Sequence, residues 1–502
     1  MKPESYRQRW EQLQPKPDVS QLEHLAKQIA LSFLDHHYYN DEYRSDYIDL
    51  LCEMATASAD SALTKPASSA LFGIIVESLC DDFEEFNTAA YNQVMSQVIA
   101  YYRQTPDGQA MDKELKNFGL YTSKDLFQRI EGIRAGSDEC KLNQVQAPEK
   151  ILILSRVTLG ADVAVTSVII QYLQDLFPRS EVILLGGEKL NDLFGGNAGL
   201  SIKTIDYSRR GSLAERLNSW HTVRKAIDEE IADLPLDKAV LVDPDSRLSQ
   251  LGVFPLVQSA PYLFFNSRGT DDRPKHVNVA ELTNYWLNKV FNDSAFYHPN
   301  VWLRQKDLEK ARSVIDQLRT NGCERIIRIN LGVGGNERKR LSRSAEEKLI
   351  LKLLQAPDTV VVLDKGAGAE EQERIEQLAA QIEAAGETVK QISSAGEQEI
   401  PGLRHGLLCI SGGIGEMAAL ISYADEYIGY DSACQHIAAA LGIPRCTIFA
   451  GSNDPAFVRR WCASGPGQTK VVHVDTLTTP PMFDDDDIVA RVIHARSEEY
   501  QT

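Results

Sequence analysis

A segment in the second half of the chain has the residue types that an anion-binding helix terminus requires. Residues 426–431, EYIGYD, form a short apolar run typical of a strand, and Asp431 and Ser432 are candidate caps for a small-residue helix predicted over 435–441. Free backbone N–H groups and the helix dipole at such a terminus suit a diphosphate. An ordinary strand–helix unit with a good cap explains the pattern equally well.

A basic segment could bring positive charge to the same site. Arg338, Lys339 and Arg340 follow the predicted strand at 324–332, ERIIRINLG. Such cations, together with a helix terminus, stabilise the negative charge of a bound phosphate group without a metal. The alternative is a solvated basic face that leads into a helix with a capping box at residues 344 and 347.

Two polar groups follow predicted strands in the first half of the chain. Asp243 lies in DPDSR and Arg268 lies in SRG, each directly after an apolar run. Ligands of open parallel sheets bind at the carboxyl ends of strands, so both residues are candidates for contact with a ligand. A surface turn is the favoured interpretation of both segments.

These candidate residues depend on a chain that alternates strands and helices. The predicted strands are KILILSRV, SEVILLG, KAVLVDP and PYLFFNS in a first series, then ERIIRINLG, DTVVVLDKG, GLLCIS, EYIGYD and RCTIFAG in a second. Helical patterns separate most of them. This order predicts an α/β fold with two doubly wound, Rossmann-like domains.

The pattern divides the chain into four parts. Residues 1–145 have helical spacing, few Gly and Pro and no strand-like run, which predicts an all-α N-terminal domain of unknown role. The two Rossmann-like domains are predicted over 148–295 and 308–480. A C-terminal helix is predicted within 481–502, and the four Asp residues at its start are interpreted as a complement to the helix dipole rather than a metal site.

Composition excludes several classes of protein. The 502 residues include 53 Lys and Arg against 71 Asp and Glu, a formal net charge of −18, which argues against nucleic acid as a partner because nucleic-acid footprints are basic. The eight cysteines form no C-x-x-C pair, so we expect no zinc site. No apolar segment reaches the ~20 residues that span a bilayer, and the amino terminus lacks a signal-peptide core. We therefore expect a cytoplasmic protein without a transmembrane segment.

These motifs resemble the signatures of a known family. The matching features are Asp431, Ser432, His436, the run 438–441, Gly442, Pro444 and the triplet 453–455, preceded by similar elements at 151–167, 329–342 and 361–375. They are similar to the motifs of glycosyltransferase family 9, the heptosyltransferases. The resemblance covers about residues 150–474, is strongest after Cys323, and does not extend to the helical domain.

The resemblance implies a GT-B fold, in which two Rossmann-like domains face each other across a cleft. It implies transfer of a heptose-like or other sugar from a nucleotide-sugar to an acceptor hydroxyl, with inversion and without a metal or other cofactor. The acceptor would be a bacterial surface glycan, a lipid-linked glycan or possibly a protein. The first domain would face the acceptor and the second would bind the donor.

The resemblance also assigns roles to particular residues. Asp162 would be the general base, Lys339 would contact phosphate or sugar, and Glu370 or Glu371 would contact the ribose. The full candidate set is Asp162 for catalysis; Lys339, Arg338, Arg340, Glu370, Glu371, Asp431, Ser432, Ala433 and His436 for the donor; and Thr166, Asp243 and Arg268 on the acceptor side.

The sequence departs from the family pattern at three points. Ala161 separates Gly160 from Asp162, where the family has Gly-Asp adjacent. Ala433 replaces a glycine of the turn, and residues 341–342 replace a Trp-Pro pair. These departures keep a second hypothesis open, that of a catalytically degenerate protein that binds a nucleotide or sugar. A scaffold whose helical domain, residues 1–145, recruits a protein partner is a further alternative.

Overall fold

The computed structural model describes residues 2–80, 83–141, 143–207, 211–269, 277–334, 336–366, 368–393, 399–478 and 484–497. The first part of the chain is helical, as predicted. Its α-helices are α1 (Pro3–Leu13), α2 (Val19–Asn40), α3 (Ser45–Thr56), α4 (Ser61–Ala70), α5 (Glu85–Tyr102), α6 (Gln109–Asn117) and α7 (Ser123–Ala135). A π-helical turn, Leu71–Val76, continues α4. We call α1 to α7 the helical segment.

A five-stranded parallel sheet follows, with strand order β3-β2-β1-β4-β5. Its elements are β1 (Lys150–Leu154), α8 (Leu159–Ala161), α9 (Ser167–Leu176), β2 (Glu181–Gly186), α10 (Leu190–Phe194), β3 (Leu200–Thr204), α11 (Leu213–Ile231), β4 (Ala239–Asp243), β5 (Tyr262–Phe264) and α12 (Val279–Phe291). The strand order reverses between β1 and β4, where open sheets bind ligands.

The second sheet has seven parallel strands in the order β12-β11-β10-β6-β7-β9-β8. Its elements are α13 (Gln305–Thr320), β6 (Arg325–Asn330), α14 (Arg343–Leu354), β7 (Thr359–Asp364), α15 (Ala369–Ala384), β8 (Val389–Ile392), β9 (Gly406–Ile410), α16 (Ile414–Ser422), β10 (Glu426–Tyr430), α17 (Ala433–Ala440), β11 (Arg445–Ala450), α18 (Pro455–Trp461), β12 (Thr469–Val474) and α19 (Asp485–Ser497). The predicted α/β class, with two Rossmann-like domains after an all-α part, is confirmed.

The helical segment covers one face of the first sheet. Leu152 and Leu154 of the central strand β1 belong to the same buried core as Ile130 of α7 and Trp220 of α11. The neighbouring residues on β1 belong to a different core, which packs against α9 and α12. Side chains alternate between the two faces of a strand, so the helical segment is one of the layers that bury the sheet. The predicted domain boundaries themselves stay predictions.

The two α/β domains also share a core. Val165 and Ile169 of the first domain belong to one apolar cluster with Ile421, Ile437 and Ala438 of α16 and α17 in the second. The domains are therefore in direct contact along α17, and the carboxyl end of β10 faces the carboxyl end of β1.

Two local predictions need correction. The cap of α14 is Ser342, whose hydroxyl accepts a hydrogen bond from the Ala345 N–H at 3.0 Å, so the predicted capping box at 344 and 347 is wrong. The strands β3, β8 and β12 were missed because they are edge strands. Most of their residues are half-exposed or exposed, and polar residues interrupt their apolar runs. The predicted C-terminal helix is present as α19, with acidic residues in its first turn. Residues 479–483 and 498–502, which belong to that predicted part and its boundary, lie outside the described residues.

We predict that the α/β domains depend on the helical segment for their stability. Deletion of residues 1–147 would expose Leu152, Leu154 and Leu241 to water, at a cost of about 25 cal/mol for each Å² of apolar surface. The shortened chain should bind the dye ANS and unfold in urea without a cooperative transition, as measured by circular dichroism. A sharp transition close to that of the full chain would contradict this prediction.

Candidate donor and acceptor site

The amino end of α17 lies at the carboxyl end of β10, as the sequence predicted, although the helix begins two residues earlier than expected. Ser432 is the N-cap residue, with extended backbone angles and no side-chain hydrogen bond to the first turn. Ala433 opens the helix and is not among the residues with positive φ, so alanine fits where the family has glycine. The first-turn N–H groups are therefore not capped by a side chain of Ser432.

A charged network lies beside this helix end. The Lys339 ammonium group donates to Asp431 Oδ2, and Asp431 Oδ1 accepts a hydrogen bond from Gln435 Nε2 at 2.7 Å. The same Gln435 nitrogen donates to the Trp461 carbonyl at 3.3 Å, and Gln435 is completely buried. We call Lys339, Asp431 and Gln435 the donor network. The structure thus brings Lys339 and Asp431, predicted separately, into one ion pair.

The loop that carries Lys339 rests on the residues that follow β11 and β12. A Cβ atom on Gly451 would lie 2.8 Å from the Arg338 carbonyl carbon, and the Thr476 hydroxyl donates to the Arg338 carbonyl at 2.6 Å. The ends of β11 and β12 therefore support this loop. The Lys339 ammonium lies 5.5 Å from the centre of the Phe457 ring, a favourable cation–π distance.

The remaining donor candidates form a second group. Arg340 pairs with Glu337 at 2.5 Å and lies 3.7 Å from Glu371. Glu371 and Glu370 stand in the first turn of α15, and Glu370 is exposed. Arg338 is also exposed. Arg340 neighbours the donor network through the adjacent Lys339, but its own side chain is engaged with Glu337 and Glu371.

The loop after β1 absorbs the residue that separates Gly160 from Asp162. Ala161 ends the short helix α8, and the next turn, Asp162–Thr166, is π-helical before α9 begins. A π-helical turn is the usual way in which a helix accommodates one additional residue, and such turns are frequent at functional sites. The insertion is thus contained within one helix.

Asp162 is buried and hydrogen-bonded through both oxygens. Oδ2 accepts from the Ser155 hydroxyl at 2.8 Å, and Oδ1 accepts from the Arg156 N–H at 2.7 Å and from the Thr166 hydroxyl at 2.8 Å. Burial raises the pKa of Asp162 to about 6, and these hydrogen bonds oppose the rise. Thr166, an acceptor-side candidate, is completely buried and contacts this carboxylate.

The other acceptor-side candidates form buried pairs. Asp243 accepts from the Tyr262 hydroxyl at 2.7 Å, and burial raises its pKa to about 6. The Arg268 guanidinium pairs with Asp245 at 3.0 Å and lies 4.7 Å from the centre of the Tyr91 ring of α5. The helical segment therefore covers this edge of the sheet, and neither Asp243 nor Arg268 is exposed. Their proposed contact with an acceptor stays a prediction.

The two α/β domains meet at Gly160. A Cβ atom on Gly160 would lie 3.1 Å from Ala433 Cα and 3.2 Å from His436 Cδ2. Burial lowers the pKa of His436 to about 4, so its imidazole is neutral at neutral pH. The candidate base loop of the first domain and the candidate donor helix of the second are therefore in van der Waals contact.

Sequence reasoning missed Trp461, which lies at the centre of this contact. The Arg156 guanidinium of the first domain is 6.0 Å from the centre of its ring, and the His436 ring is 6.1 Å away in an edge-to-face arrangement. Phe83 of the helical segment is 6.3 Å away. A tryptophan at the end of a short helix was the available signal, but contacts between distant segments cannot be derived from one sequence.

The structure also bears on metal binding and on membrane-spanning helices. Among the described residues, no group of three or more His, Cys, Asp or Glu side chains is arranged to hold a metal ion. In the same part of the chain, none of the helices combines the length and apolar character needed to cross a bilayer.

Two facing parallel sheets, with an uncapped helix end, a lysine and carboxylates at their junction, have the arrangement of a GT-B fold. Residues 338–481, within the second α/β domain, match the model of glycosyltransferase family 9 (heptosyltransferase). The resemblance inferred from the motifs is thereby confirmed. No curated protein matches the sequence.

Several solved structures are similar to this chain. A glycosyl transferase family 9 protein from Veillonella parvula DSM 2008 shares 16% identity, with 70% of this chain and 96% of that chain covered and a TM-score of 0.48. The E. coli heptosyltransferase WaaC with ADP shares 14% identity, with 69% and 99% covered and a TM-score of 0.45. E. coli ADP-heptose lps heptosyltransferase II shares 14% identity, with 70% and 99% covered and a TM-score of 0.45.

We predict that Gly160→Ala weakens the contact between the two α/β domains and lowers the free energy of unfolding. The added methyl group would lie 3.1 Å from Ala433 Cα, and such overpacking typically costs about 1–3 kcal/mol of unfolding free energy. Urea unfolding measures this loss. Gly132→Ala in α7 is the control, since its Cβ meets nothing within 4 Å and alanine favours a helix. Equal effects of the two substitutions would refute the close contact.

We also predict a pH-dependent effect of Asp162→Asn on stability. The pKa of Asp162 is about 6 in the folded chain and about 3.9 when unfolded, so between these pH values the folded state binds more protons. The contribution of Asp162 to the unfolding free energy therefore falls as pH rises from about 4 to 6. Asparagine does not titrate; its oxygen can still accept from the Arg156 N–H and the Thr166 hydroxyl, and its amide nitrogen would donate to Ser155 Oγ. The variant should therefore gain stability relative to wild type by an amount on the order of 2 kcal/mol across this window.

Urea unfolding at pH 4.5 and pH 7 tests this prediction. Asp243 titrates in the same range but is present in both proteins, so its contribution cancels in the difference. An Asp162→Asn difference that is the same at both pH values would show that the carboxylate is not held at a raised pKa.

Proposed function

We propose that this protein transfers a glycosyl group from a nucleotide-sugar to an acceptor hydroxyl. The observation that carries the proposal is the uncapped amino end of α17 beside the Lys339–Asp431 pair, at the contact between the two α/β domains. A helix terminus with an adjacent ammonium group supplies the positive charge that a departing diphosphate requires. This arrangement supports a reaction that uses no metal ion and no other cofactor.

The donor would bind by exchange of hydrogen-bond partners. The diphosphate accepts hydrogen bonds from the first-turn N–H groups at Ala433, and Lys339 moves from Asp431 to a phosphate oxygen. Asp431 stays fixed by Gln435 and accepts hydrogen bonds from hydroxyl groups of the donor. Glu371 or Glu370, beside the loop that carries Lys339, contacts the ribose.

Asp162 is the proposed general base. A pKa of about 6 suits proton abstraction near neutral pH, because a base works best when its pKa is close to the working pH. The acceptor hydroxyl replaces the Ser155 hydroxyl at Asp162 Oδ2. As its oxygen attacks the anomeric carbon, the proton passes to Asp162 and the bond to the phosphate oxygen breaks. Base and leaving group belong to opposite domains, which favours inversion.

The acceptor is proposed to be a glycan of the bacterial surface or its lipid-linked precursor. Entry of either substrate requires that the contact between Gly160 and α17 opens, since the base loop and donor helix touch in this conformation. A protein acceptor, a protein partner for the helical segment and a cytoplasmic location stay predictions.

A second candidate function is nucleotide binding without transfer. The favouring observation is the enclosure of Asp162, which is 1% exposed and hydrogen-bonded to Ser155, Arg156 and Thr166. In such a protein Asp162 would only fix the loop after β1. The two candidates differ in whether bound donor turns over.

We predict that a nucleoside diphosphate raises the melting temperature and that Asp431→Ala abolishes the shift. The similarity to heptosyltransferases, among them E. coli WaaC with ADP and ADP-heptose lps heptosyltransferase II, makes ADP and ADP-heptose the first ligands to test, beside UDP and GDP. A ligand at one hundred times its Kd adds about 2.7 kcal/mol to the unfolding free energy, which thermal-shift assays resolve. Asp162→Asn should keep the shift and lower transfer at least about 100-fold, the usual range for a lost general base.

Asp425→Ala is the matched control for Asp431→Ala. Asp425 precedes the same strand β10 at its opposite end, where it forms a half-exposed ion pair with Arg319 at 2.8 Å. This variant should retain the nucleotide shift. Loss of the shift in both variants would reject the site, and absence of any shift in wild type would reject the proposed function. Binding without turnover would favour the second candidate.

A further inference from the structure

Three separate parts of the chain meet at the side chain of Trp461. Arg156 comes from the first α/β domain, His436 from α17 and Phe83 from the helical segment. Phe83 is 5% exposed, and the guanidinium of Arg460, also on α18, lies 5.2 Å from the centre of its ring. The helical segment thus contacts the donor-side domain, although its main core is shared with the acceptor-side sheet.

The backbone of Phe83 is strained. Its φ angle is +60°, in the left-handed region that bulky residues rarely adopt. Val157, a β-branched residue in the loop that binds Asp162, has a φ of +74°. Such conformations are energetically unfavourable, persist only where packing enforces them, and concentrate at functional sites. Strained residues therefore stand in two of the segments that meet at the interdomain contact.

A continuous set of contacts joins Phe83 to the donor network. The ring of Phe83 packs against Trp461, and the carbonyl of Trp461 accepts the hydrogen bond from Gln435. Gln435 in turn holds Asp431, the partner of Lys339. A shift of α18 would move the carbonyl that orients Gln435. The position of α18 therefore influences where the Asp431 carboxylate lies.

We propose that Phe83 is a positioning residue of the donor site, so that the helical segment completes the nucleotide-binding unit instead of acting as a separate module. Phe83 acts through Trp461 and touches no substrate. This inference rests on the proposed function, because it concerns how the same donor site is held in place. This role depends on the aromatic ring of Phe83 and on its packing against α18.

The test compares variants that remove the ring with and without the backbone strain. Phe83→Gly relaxes the strained φ angle, whereas Phe83→Ala keeps it, so the two differ in unfolding free energy. Both should raise the Kd of ADP, or of whichever nucleoside diphosphate binds wild type most tightly, by about threefold to tenfold, the range expected for one aromatic pair. Trp461→Ala should weaken binding at least as much, and Phe83→Tyr and Trp461→Phe should restore it.

Phe86→Ala is the matched control, since Phe86 is 44% exposed and its ring stacks on His37 at 4.0 Å. It should leave the Kd unchanged. Wild-type affinity in both Phe83→Gly and Phe83→Ala would overturn the inference alone, as would an equal loss in Phe86→Ala. Failure of the wild-type protein to bind any nucleoside diphosphate would overturn the proposed function and this inference with it.

Discussion

The contact between Gly160 and the first turn of α17 is the constraint on which the rest of the site depends. It sets the separation of the two α/β domains, because the backbone of Gly160 lies directly against the backbone of Ala433. Gly160 has no side chain whose rotation could change this distance. The shared core beneath it, from Val165 to Ala438, makes the closed arrangement one packed body. A site built in this way must open to admit substrate, and binding energy must compensate for the apolar surface that is then exposed.

Several charged side chains of the two α/β domains are held in ion pairs or by hydrogen bonds. Lys339 is held by Asp431, Arg268 by Asp245 and Arg340 by Glu337, and Asp162 accepts three hydrogen bonds. Each pair holds its cation in a defined orientation before any ligand binds. Ligand binding then exchanges one partner for another, which costs less than bringing a bare charge out of water.

The central strands could be predicted because apolar runs bounded by turn residues indicate strands buried on both faces. The helix α17 could be predicted from its small residues and the candidate caps before them. The edge strands could not, since LSIKT and VKQI have half-exposed positions and lack such runs. The family motifs singled out Lys339 and Asp431 separately, and their pairing depends on the loop at 337–339 resting on Gly451. The roles of Phe83 and Trp461 could not be derived, because positive φ at Phe83 and contacts across almost four hundred residues depend on the tertiary structure.

The sharing of one core between the helical segment and the first sheet has a consequence for how the chain folds. The helices precede β4 and β5 along the chain, yet Ile130 packs beside Gly252 and Phe264 lies in the same core. During synthesis the apolar face of the helices is therefore not fully covered until more than a hundred further residues have emerged. Such delayed, long-range pairing slows folding and leaves an intermediate prone to aggregation, which makes this surface a natural substrate for a chaperone.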